Sequence, residues 1–170
     1  MHTRKELLHK IADTMKTTDD ARVLINMAYL LLECGYNPNN VNDDDETAMH
    51  IACAVGNIEM IELLVHFGAN VEAKVRILTF CVKFLKNLYG MTPFFYAVGN
   101  GMATTCRYLY SQVKVDIHAK TKDLKTSLIA LFSFHEFKIQ FYNKQFIENK
   151  HKVSAIVKLL VKEVCNNLFF

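Results

Sequence analysis

His50 and Cys53 stand three residues apart. On a helix that spacing puts a thiol and an imidazole one turn apart, the arrangement of a Cys–His nucleophile. The same spacing also suits two side chains packed inward on one helix face. The seven histidines, at positions 2, 9, 50, 66, 118, 135 and 151, form no H-x-x-x-H pair and join no Cys/His cluster of the kind that holds zinc. Gly99-Asn100-Gly101 opens like a dinucleotide loop, but the third glycine is missing. Asp43-Asp44-Asp45-Glu46 concentrates carboxylates without the alternating spacing and central glycine of a calcium loop. It reads as a contact for a basic surface or as a solvated turn. No catalytic, metal or cofactor-binding residue is expected from these patterns.

The elements that position these residues follow from the bulk properties and a repeat. The chain has 170 residues, 51% apolar and 22% charged, enough to bury a core. Two prolines and six glycines are few for an all-β protein, where turns recur often. No apolar run reaches the length of a membrane span, and the polar N-terminus lacks the apolar stretch of a secretory signal. Cysteines at 34, 53, 81, 106 and 165 are odd in number and widely spaced. That pattern suits reduced thiols in the cytoplasm or nucleus better than a disulfide framework. Residues 1–74 hold 6 basic and 12 acidic side chains, and residues 75–170 hold 14 and 5, so the halves carry −6 and +9. Such asymmetry can steer a partner.

Gly35 and Gly68 lie 33 residues apart. Each follows an apolar helix end, Leu30-Leu31-Leu32 or Leu63-Leu64-Val65, and each precedes an asparagine by two positions. Glycine suits the left-handed turn that closes a helix. A second phrase runs from Thr47 to Gly56 and recurs from Thr92 to Gly101, with a weaker copy from Thr126 to Leu131. The threonine fits a helix N-cap, Pro93 fits the first helical turn, and Ala52 and Ala97 permit close helix packing. Gly56 and Gly101 then turn the chain back.

These phrases resemble the ankyrin-repeat family. The resemblance is fullest over 42–74, good over 87–118, partial over 20–41 and weak after 120. It implies an all-α solenoid of about four helix–turn–helix units forming a single domain. Residues 1–41 form an atypical first unit, built from a helical segment over Arg4–Met15, a turn at Thr17–Asp20 and a helix over Ala21–Glu33. Repeats at 42–74 and 87–119 follow, with a degenerate unit at 120–170 that ends in a helix over about 152–166. His50 then resembles the family histidine that hydrogen-bonds within and between repeats.

Two insertions break the period. Thr47 to Thr92 is 45 residues, twelve beyond a repeat, and the surplus is assigned to Val75–Lys86. This apolar segment reads in three ways: a binding epitope, a cover over the stack, or an in-frame retained intron, since Val-Arg can be encoded by a splice-donor-like sequence and a Lys codon can end in AG. Thr92 to Thr126 is 34, one residue too long. About 17 extra residues fall within 132–152.

The resemblance implies no enzymatic activity and no cofactor. It implies recognition of a partner protein through the hairpin tips and the inner-helix face. By register that face holds Asp43, Asp44, Glu46, Ala54 and Val55, then Leu88, Tyr89, Met91, Gly99 and Asn100, then Lys122, Asp123 and Lys125. It grades from acidic through aromatic to basic, with Tyr89 as the anchor residue. One alternative is a competitive inhibitor of a signalling or transcription factor, similar to the inhibitor of NF-κB. Another is a nucleic-acid-associated protein using the basic C-terminal half, where Lys138, Lys144, Lys150, Lys152, Lys158 and Lys162 are interleaved with aromatics without any recognised nucleic-acid motif.

Overall fold

The computed structural model describes residues 6–15, 21–75, 90–120 and 154–158. The helices that build the described stack are α1 Leu7–Thr14, α2 Ala21–Glu33, α3 Ala48–Val55, α4 Ile58–His66, α5 Pro93–Gly99 and α6 Ala103–Tyr108. A π-type turn, Leu109–Val113, extends α6. No strand is present among the described residues, and Val41 and Thr47 form an isolated antiparallel bridge. The fold is all-α.

Helices alternate between an inner row (α1, α3, α5) and an outer row (α2, α4, α6). α3 is sandwiched between α1 and α5, and α4 packs on both α3 and α2. The inner helices approach closely because the positions between them are small: Ala12, Ala48, Ala52 and Ala97 are fully buried. Leu8, Met49, Met60, Ile61, Leu64, Phe94 and Leu109 fill the remaining core. Each buried side chain of this size contributes roughly 1.5–3 kcal/mol. The short helices hold together through this stacking, since eight isolated residues do not form a stable helix.

Local chemistry sets the ends. Asn57 caps α4 by accepting the Met60 N–H at 2.9 Å. Gly56 closes α3 at φ +86, and its missing Cβ is a steric need as well, because a methyl there would lie 2.8 Å from Met102 Sδ. After the outer helices, Gly35 and Gly68 adopt φ +82 and +77. Lys114 holds the same place after α6, at φ +59. Asn37, Asn70 and Asp116 follow two residues later, and each side chain accepts the N–H two residues on, at 2.8–3.0 Å. The π-type turn before Lys114 absorbs one extra residue, which is how a π turn widens a helix. It accounts for the one-residue surplus between Thr92 and Thr126.

The twelve-residue surplus falls between Val75 and Gly90, which are joined as their counterparts in the second repeat are. In the second repeat Asn42 N–H donates to Glu46 O at 2.9 Å, and Asp45 N–H donates to Asn42 O at 3.0 Å. In the third, Val75 N–H donates to Met91 O at 3.1 Å, and Gly90 N–H donates to Val75 O at 2.8 Å. Val75 therefore takes the place of Asn42, and Gly90 that of Asp45, with matching positive φ of +86 and +59. Val75 is completely buried. The boundary placed at Val75 by sequence is corrected: this residue belongs to the fold, and residues 76–89 stand where the second repeat has only Asp43 and Asp44. Most of the segment read as an insertion lies outside the described residues. So do 132–152 and most of the predicted C-terminal helix, of which 154–158 are helical with Ile156 buried in the core.

Candidate functional site

Three inner helices begin at equivalent N-caps, Glu6, Thr47 and Thr92. Counting from each cap, the fourth residues are Lys10, Ile51 and Tyr96, and the seventh are Asp13, Ala54 and Gly99. These positions point away from the outer helices. With the Asn42–Glu46 hairpin, all of them except Gly99 line a groove of about 500 Å³. It is lined by Glu6, Lys10 and Asp13 from the first unit, by Asn42, Asp43, Asp44, Glu46, Ala54 and Val55 from the second, and by Tyr96 and Asn100 from the third. Six residues named from the sequence, Asp43, Asp44, Glu46, Ala54, Val55 and Asn100, thus share one concavity.

Glu46 is the fixed point of this groove. Tyr96 Oη donates to its Oε1 at 2.7 Å, and Asn42 Nδ2 donates to its Oε2 at 3.1 Å. Asn42 also shapes the hairpin, since its Oδ1 accepts the N–H groups of Asp44 at 3.0 Å and Glu46 at 2.8 Å. Asn100 Nδ2 donates to Tyr96 O at 2.9 Å, joining the third unit to the same network. The Tyr96 ring meets His50 edge-on at 5.0 Å. Five carboxylates line the groove, Glu6, Asp13, Asp43, Asp44 and Glu46, against one ammonium from Lys10. Asp13, Asp43 and Lys10 are exposed.

Met91 is corrected. It occupies the position of Glu46, but it is only 5% exposed, so its side chain belongs to the core. An apolar side chain gains by turning inward where the glutamate turns toward Tyr96 and Asn42. Gly99 is half-buried. Leu88, Tyr89, Lys122, Asp123 and Lys125 lie outside the described residues. Sequence reading missed Tyr96, Lys10 and Asp13. The signal was available, because they repeat the register of Ile51 and Ala54.

The His50–Cys53 pair does not form a nucleophile. Both residues are fully buried. Burial pushes the Cys53 thiol far above its ordinary range, and the nearby Cys106 adds to the shift. Cys106 is itself pushed up to about 12, again by burial. His50 instead joins repeats: its Nε2 donates to Met91 O at 3.2 Å. His9 makes the corresponding bond, Nε2 to Glu46 O, at 2.9 Å. His9 is the third residue after Glu6, as His50 is the third after Thr47, so α1 is a true inner helix. Among the described residues no group of three or more His, Cys, Asp or Glu is placed to hold a metal, and no helix is long and apolar enough to cross a membrane.

This is a stack of helix pairs with hairpins on one edge and a concave inner face, a scaffold class built for contact rather than for positioning reactive groups. The chain belongs to the ankyrin-repeat family: the family model described as ankyrin repeats in three copies matches residues 21–123. Ankyrin repeats generally mediate protein–protein interaction. The chain is also similar to the ankyrin repeat and LEM domain-containing protein 1 homolog of Caenorhabditis elegans, 39% identical over 67 residues. That stretch covers 39% of this chain and only 9% of the relative.

Proposed function

We propose that this chain binds a partner protein through the groove of the inner helices, and that the partner presents a basic segment. The observation that carries this reading is the composition of the groove: five carboxylates and one lysine around a continuous concavity with an apolar floor at Ile51, Ala54 and Val55. Complementary charge accelerates encounter and selects among partners, while the apolar floor supplies area to bury. The network around Glu46 keeps the hairpin in one arrangement, so little ordering cost falls on binding. Reduced thiols at Cys53 and Cys106 suit a cytoplasmic or nuclear setting.

The test is affinity capture from lysate with the wild-type chain and with D13K/D43K, each with and without nuclease. Both substituted residues are exposed, so the fold is left alone. Nuclease-resistant capture of a defined protein, lost in the double variant, supports the proposal. Capture that survives the charge reversal overturns the groove as the binding face. Nuclease-sensitive capture selects the nucleic-acid reading of the lysine-rich half. A captured transcription factor whose activity falls on binding selects the inhibitor reading. The same capture with Tyr89→Ala tests the expected anchor, and unchanged recovery removes it.

A further inference from the structure

Helix α2 carries an apolar seam that stands outside the core formed by the described residues. Val23, Met27 and Leu30 are 56%, 45% and 61% exposed. Cys34, just past the helix end, is an exposed free thiol. Their spacing of four, three and four residues is the alternation of a coiled-coil seam and keeps all four on one stripe. The repeat explains why they are apolar. In the register fixed by Gly35 and Gly68, Met27 corresponds to Met60 and Leu30 to Leu63. Met60 is fully buried and Leu63 half-buried, both packed into the core. So α2 presents for stacking the same positions that α4 buries. A repeat whose outer side meets only water carries polar residues there.

We infer that this seam is a self-association surface, on which α2 of a second copy of the chain packs antiparallel. Charge decides the direction. Arg22 and Glu33 are the only charged residues of α2, and both are exposed. They lie eleven residues apart, close to three whole turns, and so on one flank of the seam. Antiparallel pairing brings Arg22 of each copy toward Glu33 of the other, whereas parallel pairing sets like charges together. It also opposes the two helix dipoles favourably. In the antiparallel register Met27 packs against Leu30 of the second copy, and Val23 against Cys34. The seam spans about three turns, so the contact is at the small, weak end of specific interfaces. It lies on the outer row, away from the groove, and stands or falls independently of the partner proposed above.

Sedimentation of the full chain over a concentration series is the first measurement, with L30E as the control variant. Leu30 is exposed, so L30E keeps the helical content and unfolding of the wild type. The expected result is a reversible dimer, weakened at least about tenfold by L30E. V23C then tests the geometry, because positions 23 and 34 of a single helix are too far apart for their thiols to bond each other. Mild oxidation of V23C yields a covalent dimer that V23C/C34S does not form. A chain that stays monomeric throughout overturns the inference. So does a dimer indifferent to L30E, or a cross-link that persists in V23C/C34S.

Discussion

Thr47 and His50 are locked together across the first turn of α3: the Thr47 N–H donates to His50 Nδ1 at 3.1 Å, and the Thr47 hydroxyl lies 2.9 Å from the same nitrogen. That leaves Nε2 to carry the proton it donates to Met91 O. The neighbouring inner helices each keep half of this arrangement. α1 has the histidine but Glu6 at the cap, and His9 Nδ1 is buried without a partner. α5 has Thr92 at the cap but Phe95 in the histidine's place, and Thr92 Oγ1 is likewise unsatisfied.

Capping substitutions should therefore differ sharply between repeats. Thr47→Ala is expected to cost about 1–2 kcal/mol, since it removes a used cap and strips a buried imidazole of a partner. Thr92→Val should cost no more than about 0.5 kcal/mol, because the hydroxyl it removes is unpaired. Glu6→Thr should gain about 1 kcal/mol by giving His9 Nδ1 the hydroxyl it lacks. Urea unfolding of the three variants measures the order. Equal losses at Thr47 and Thr92 would sink the account.

Acid should weaken the stack through its buried histidines. Burial lowers His50 from 6.5 to about 4, against the opposing pull of the Met91 and Ala73 backbone. His9 is lowered in the same direction by burial. Below pH 6.5 the unfolded chain takes up protons that the folded chain refuses, so stability falls as pH drops toward about 4 and His50 adds no further loss below that. The His50 contribution is up to about 3 kcal/mol across this window. Unfolding free energy measured at intervals from pH 7 to 4, together with imidazole chemical shifts, checks it. A His50 that titrates near 6.5 in the folded state refutes the prediction.

Two turn residues should respond in opposite senses. Gly56→Ala meets both a positive φ and Met102 Sδ, and is expected to lower stability by at least about 1 kcal/mol. Lys114→Gly relieves a non-glycine residue at φ +59 and should raise it by up to about 1 kcal/mol. Thermal unfolding of the pair gives the signs directly.

Replacing residues 76–89 with Asp-Asp should leave a cooperative fold with nearly unchanged thermal unfolding. The basis is the shared hairpin base, closed by Val75, Gly90 and Met91 as it is by Asn42, Asp45 and Glu46. Circular dichroism during heating is sufficient. Loss of a cooperative transition would show that the segment supports the stack.

The helices and their register were legible because each repeat is marked by residues whose backbone needs are hard to meet otherwise, the threonine caps and the glycines at positive φ. Where another residue fills the same role, the signal fades. His9 escaped notice because Glu6 precedes it where threonine was expected, and Ile11 stands where Ala52 stands in α3. Lys114 hid the end of the third outer helix, with the π-type turn displacing it by one residue. The groove was half legible: the positions late in α3 and α5 were identified and those of α1 were not, and Tyr96 reads as a core aromatic until Glu46 is seen opposite its hydroxyl. Met91 was misplaced because its register says hairpin while its chemistry says core.

The hairpin that closes on Val75 has a consequence for how this array can change. The residues that flank a fourteen-residue segment, Val75 and Gly90, are joined by a backbone hydrogen bond, and Val75 and Met91 are buried beside it. The same backbone closure spans two residues in one repeat and fourteen in the next, so the length of chain between its ends can change without altering the hydrogen bonds that join them.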